Sequence, residues 1–187
     1  MLVYHGTSLS NAFNIQENGI DLSKSNDFLD FGKGFYVTPN LEMAKNMAYR
    51  VSSRTPRDKN GLPTVVCFEY TEDAGMSYRK FENEDTEWAK FIMANRVTDE
   101  IAKEMGLFDS NSDFRYDIVV GGTADGNVAS IASALRFGNK NPNEYQLELS
   151  DFLREEGTSY GIQITFCTEK SLSCIKYIKF DIIENRK

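Results

Sequence analysis

The sequence predicts an α+β fold: two small, strongly bent sheets with helices on their outer sides. Three observations lead there. Segments with the two-residue alternation of strands are interspersed with segments of helical period, yet they do not alternate strictly as βαβ units would. Short apolar runs end in glycine, as in Asp117-Ile118-Val119-Val120-Gly121-Gly122. An apolar share of 41%, with 12% aromatics, is enough to fill a core. At 187 residues the chain fits one domain, residues 1–187, and would cramp two.

Taken in order, Leu2–His5 reads as a strand, with Gly6-Thr7 after it where the backbone can turn. Ser10–Asn18 reads as a helix stopped by Gly19. Ile20–Phe31 is irregular and Gly34–Thr38 is a strand. Pro39-Asn40 then start a helix over Leu41–Ser52, whose Leu41, Ala44, Met47, Ala48 and Val51 keep the helical period. Ser53–Pro63 is a loop, Thr64–Tyr70 a strand, and Met76–Phe81 holds a second short one. Asp85-Thr86-Glu87 opens a helix with Trp88, Phe91, Ile92 and Asn95 along one side, where Trp88 reads as core. After the strand at Asp117–Gly122, helices are expected over Asn127–Phe137 and Asn143–Glu156. In the strand Gly161–Thr168, Ile162, Ile164 and Phe166 share one face; Gln163, Thr165 and Cys167 share the other. A short helix at Lys170–Lys176 and a strand at Tyr177–Ile183 close the chain.

Several function classes are disfavoured. The net charge of −7 and pI near 4.9 oppose a nucleic-acid backbone; the densest basic stretch, Arg50–Lys59, reads as a solvated loop. No apolar run approaches the roughly eighteen residues of a membrane span, and no secretory signal is legible, so a cytoplasmic location is expected. Cys67, Cys167 and Cys174 have neither CxxC spacing nor a second histidine to complete a metal set. They read as reduced, buried thiols, and no metal is expected. A nucleophilic Cys–His pair would have to use His5 and lacks an orienting third group. Gly32-Lys33-Gly34 and Gly121-Gly122-Thr123-Ala124-Asp125-Gly126 both miss the spacing of phosphate-binding loops and read as turns.

Two segments carry the positive signal: Tyr4-His5-Gly6-Thr7, with the chain's single histidine, and Asp30-Phe31-Gly32-Lys33-Gly34-Phe35-Tyr36-Val37-Thr38 leading into a helix. Together they resemble the ADP-ribosyltransferase fold, in its diphtheria-toxin and poly-ADP-ribose-polymerase branch with a His-Tyr-Glu triad. The branch has Tyr-His-Gly-Thr/Ser, then Gly-x-Gly-x-Tyr before a helix containing alanines, matched here by Ala44 and Ala48. The chain is more closely similar, over nearly its full length, to a bacterial family catalogued as domain of unknown function 3990. Asp30–Tyr36, the most specific of them, Glu87-Trp88-Ala89-Lys90-Phe91, Asn95-Arg96, Tyr116–Gly121, Ala124-Asp125 and Gln163–Lys170 carry that similarity.

The resemblance implies a split β-sheet core with flanking helices around an NAD cleft, and NAD as co-substrate without a metal. It implies an NAD-dependent mono-ADP-ribosyltransferase, toxin-like, acting on an unidentified macromolecular acceptor, and it leaves room for an inhibitory partner protein. Cleaving the bond from nicotinamide to ribose passes through an oxocarbenium-like state whose leaving group departs neutral, so it needs holding rather than protonation. The implied catalytic residues are His5, Tyr36 and Gln163. The implied NAD contacts are His5, Gly6, Thr7, Phe35, Tyr36, Met47 and Arg96. His5 would donate a hydrogen bond to the adenosine-side ribose, Gly6 would offer its backbone to the nicotinamide amide, and Tyr36 would pack on the ring. Met47 stands where a second aromatic is usual and packs more softly.

Gln163 stands where the branch has Glu; it keeps hydrogen bonding but lacks charge. That favours single transfer over chain elongation and keeps NAD glycohydrolase, a silent NAD- or ADP-ribose-binding module, and a scaffold with an empty cleft as alternatives. Other readings also stay open for single residues. Arg96 suits a pyrophosphate or an internal ion pair with Asp30, Asp117 or Asp125; Tyr36 suits a packing role, and His5 a capped surface histidine.

Overall fold

A computed structural model describes residues 1–53, 61–124, 126–138, 141–142 and 161–183. The expected helix at 143–156, Asp125 and most of the 53–63 loop with its basic residues lie outside the described residues. The fold is mixed α+β with two sheets. Strands β1 (Leu2–Ser8), β3 (Pro63–Tyr70) and β7 (Ile175–Ile182) form one sheet in the order β1-β3-β7. Strands β2 (Phe35–Val37), β4 (Tyr78–Lys80), β5 (Ile118–Gly122) and β6 (Ile162–Phe166) form the other in the order β2-β6-β5-β4. Among the described strands, β4 and β5 pair in parallel and the other pairs are antiparallel.

The helices are α1 (Leu9–Asn18), α2 (Leu41–Ser53), α3 (Thr86–Arg96), α4 (Asp99–Glu104) and α5 (Gly126–Arg136), with 3₁₀ turns at Leu22–Lys24 and Glu169–Cys174. Local chemistry sets their ends. The Ser8 hydroxyl accepts from Asn11 N at the start of α1, and Gly19, at φ 80°, donates back to Ile15 O at its end. Asn40 Oδ1 caps α2 through Met43 N, and Asp85 Oδ1 accepts from Glu87 N and Trp88 N to begin α3.

Period-two alternation distributes the side chains between three apolar layers. Val3, Val66, Phe68, Ile118, Ile164 and Phe166 fill the space between the sheets, joined by Ala12 of α1. The opposite face of the second sheet packs Val119 and Cys167 against Trp88, Phe91 and Ile92 of α3. The outer face of the first sheet meets α2 through Val65, Ala44 and Ala48. Trp88 is core, 1% exposed, and its indole N–H donates to Gly122 O. Each such fully buried large apolar side chain contributes about 1.5–3 kcal/mol.

Two sequence expectations are corrected, and one element is added. The chain does not turn at Gly6-Thr7; β1 continues to Ser8, because β3 offers partners along its whole length. The stretch after Thr168 is a 3₁₀ turn at 169–174, and β7 begins at Ile175. Helix α4 went unanticipated although Thr98 caps it and Asp99-Glu100 suit its first turn; six residues are too few for a visible period. The three cysteines are free and buried, as expected.

Candidate functional site

Beyond their packed faces, the two sheets are joined along one edge by one main-chain bridge among the described residues. Tyr4 N donates to Thr38 O at 2.8 Å and Thr38 N donates to Tyr4 O at 2.9 Å. Odd-numbered residues of the first strand face β3: Met1 pairs with Tyr70, and Leu9 N donates to Leu62 O in the same register. By antiparallel alternation, Tyr4 and Gly6 turn their main-chain groups to the other edge. Continuing the Tyr4–Thr38 register would set Gly6 against Tyr36. Instead, the His5 imidazole takes the Tyr36 carbonyl, Nδ1 donating at 2.7 Å. The ladder ends after one bridge. The N–H and C=O of buried Gly6 find no partner among the described residues, an uncommon condition for buried backbone.

The carbonyl accepts only, so Nδ1 of His5 carries the proton and Nε2 holds a lone pair. Nε2 has no partner among the described residues. The donor that the resemblance assigned to a ribose is therefore spent inside the fold, and the atom left is an acceptor for a hydroxyl. The ring lies 4.4 Å from Phe35, which packs edge-on to Phe68 in the inter-sheet core. Burial lowers the His5 pKa from its ordinary 6.5, outweighing the bond to Tyr36 O, which acts the other way. Unfolding then takes up a proton, so stability is lost as pH falls through about 6.5 toward the lower folded value, and no further below it. With one histidine in the chain, the melting temperature of His5→Asn minus that of wild type should rise between pH 7.5 and 5. A flat difference would remove this role.

Tyr36 and Gln163 lie on the other face of the second sheet, the one covered by α3. Tyr36 pairs with Thr165, so Gln163, two residues along β6, is its diagonal neighbour. Both reach the loop before β2. The Tyr36 hydroxyl donates to Gly32 O at 2.6 Å and accepts from Phe31 N at 3.0 Å. Burial, then the nearby Asp30 charge, push that hydroxyl well above the usual phenol range, so it stays a donor. Gly32 sits at φ +79°, a left-handed conformation suited to glycine, with Asn95 Oδ1 3.0 Å from where a Cβ would be. Gln163 is 6% exposed and its Nε2 donates to Asp30 Oδ2 at 2.8 Å.

Arg96 takes the second of its two expected roles. Its guanidinium grips Asp30 Oδ1, Nε donating at 2.6 Å, so it is an internal ion pair rather than a free pyrophosphate ligand. Thr7 belongs to the framework: it is 3% exposed, its main chain faces β3, and its hydroxyl accepts from Asn11 Nδ2. Met47 stands 41% exposed on α2. One turn back, Met43 brings its sulfur 3.3 Å from the position of a Gly161 Cβ, two residues before Gln163. Packing against α2 also requires glycine at position 6: a Cβ there would strike the Ala44 carbonyl and lie 2.7 Å from Ala48 N. Asp30 is the residue whose importance the motif understated; its place beside the glycine pair and the presence of Arg96 were the only signals.

A thiol nucleophile has no support in this geometry. Cys67 is registered with Tyr4, on the opposite face of β3 from Val66, the partner of His5. Burial pushes all three thiols up, Cys167 to about 12, which keeps them protonated. A concavity of about 400 Å³ lined by Leu22, Gly34, Phe114 and Cys167 includes neither His5 nor Gly6. Orphaned polar groups mark a ligand position better than volume does, and we place the candidate site at the sheet split. Among the described residues, no helix is long and apolar enough to cross a membrane, and no three metal-ligating side chains cluster.

The class defined by this architecture is a two-sheet α+β protein with a polar split along the sheet edge. The chain belongs to DUF3990, a family of proteins of unknown function, whose model matches residues 1–177. No curated protein and no solved structure matches the chain.

Proposed function

We propose that the chain is an NAD-dependent mono-ADP-ribosyltransferase with NAD as co-substrate in the split between the sheets. The observation that carries this reading is the unpartnered main-chain pair of buried Gly6 beside the free Nε2 of His5. A carboxamide has one donor and one acceptor group and complements an adjacent N–H and C=O, while a ribose hydroxyl donates to an imidazole lone pair. His5 would thus hold a hydroxyl as an acceptor. Tyr36 would present its ring, pinned through its hydroxyl by the Gly32 loop. In the reaction the ribose–nicotinamide bond breaks, the nucleophile's oxygen or nitrogen bonds to the ribose carbon, and the nucleophile releases its proton.

A silent NAD- or ADP-ribose-binding module is the second reading, favoured by Gln163, an uncharged side chain with its amide nitrogen committed to Asp30. Purified protein incubated with NAD labelled in the adenylate part, with and without bacterial lysate, separates the outcomes. Label on a macromolecule supports transfer, free ADP-ribose alone supports a glycohydrolase, and binding without turnover supports the module. No binding at all removes the nucleotide reading. Tyr36→Phe is expected to keep NAD binding within about threefold while losing about 1–2 kcal/mol of stability, because only the two hydroxyl bonds go. Calorimetric titration and urea unfolding check both halves.

A further inference from the structure

The Asp30 carboxylate, 5% exposed, is saturated by donors from three separate segments of the chain. Oδ1 takes the Arg96 guanidinium of α3; Oδ2 takes Ala124 N, after β5, at 3.2 Å and Gln163 Nε2, on β6, at 2.8 Å. A carboxylate facing an arginine only accepts, so the group that Gln163 turns to it must be the NH₂ end; the reverse orientation would oppose two oxygens. Oε1 of Gln163 is therefore aimed away from Asp30. It has no partner among the described residues and is not among the buried polar atoms without one.

We propose that Asp30 is a positioning residue that locks the Gln163 amide with its oxygen, rather than its nitrogen, offered to the ligand. The inference rests on the NAD reading above and deepens it. An acceptor directed at ribose hydroxyls is what a carboxylate in that position would also supply. Here the neutral amide supplies the acceptor, and the negative charge sits one hydrogen bond further back, neutralised by Arg96. Gln163 is then suited to holding a ribose and poorly suited to taking a proton.

Exchanging the two groups tests this. Asp30→Asn frees the amide to flip, and NAD affinity should fall about tenfold, the contribution of one hydrogen bond. Gln163→Glu alone sets two carboxylates against each other and should lower both the melting temperature and the affinity. The double exchange, Asp30→Asn with Gln163→Glu, restores a donor–acceptor pair at unchanged net charge. The side chain at position 30 then donates and the one at position 163 accepts. The exchange should return the NAD dissociation constant to within about threefold of wild type. The four proteins are compared by calorimetric titration with NAD and by thermal melting. A folded Asp30→Asn protein with wild-type affinity, or an exchange that recovers the melting temperature without the affinity, overturns the inference and leaves the NAD reading standing. Failure of the wild type to bind NAD overturns both. Should Asp30→Asn not fold, the exchange protein carries the decision.

Discussion

Asp30→Ala is expected to lower the unfolding free energy by about 3 kcal/mol, toward the lower end for a broken buried ion pair. The lower end applies because the Arg96 side chain keeps 20% of its surface in solvent. The mechanism is abandonment: the guanidinium, Ala124 N and Gln163 Nε2 would lose one acceptor together. The loss should be larger than that from removing any single donor. Replacing both Asp30 and Arg96 with apolar residues of similar volume should recover part of it, since no uncompensated charge then remains. Urea unfolding followed by circular dichroism measures this. A loss below about 1 kcal/mol would mean that water satisfies the orphaned groups.

Gly6→Ala is the second large effect, expected to cost about 3 kcal/mol, or roughly 6–12 °C in melting temperature for a chain of this size. The added methyl meets backbone on both sides, the Ala44 carbonyl and Ala48 N, so no rotamer change relieves it and α2 must move off β1. Ala44→Gly should therefore give no rescue, which separates this clash from ordinary overpacking between side chains. Differential scanning fluorimetry reads the shift, and a drop of less than about 2 °C would show that α2 yields easily. NAD binding should fall along with stability, because moving α2 also displaces the edge that holds the Gly6 main-chain pair.

Most elements were legible in the sequence because their signals are local. Asp85 and Asn40 cap helices with their own side chains, Gly19 supplies a positive φ, and Ile164 and Phe166 alternate with Thr165. The site was legible only as a set of residues. His5, Gly6 and Tyr36 could be named from their motifs, but the direction of each functional group depended on the strands that pair. Whether His5 offers a donor or an acceptor follows from Tyr36 O, thirty-one residues away in sequence. Whether Arg96 is free follows from Asp30, sixty-six residues before it.

Residue identity and near neighbours were enough to set the period of each element, the glycines that permit close approach, and the few polar residues in otherwise apolar motifs. Packing of the whole chain was needed for the rest: that β1 and β2 part after one bridge, that a helix demands Gly6, and that Asp30 gathers Arg96, Ala124 and Gln163. Hydrogen-bond partners and excluded volume are relations between distant segments, and only the folded chain brings those segments within reach of each other.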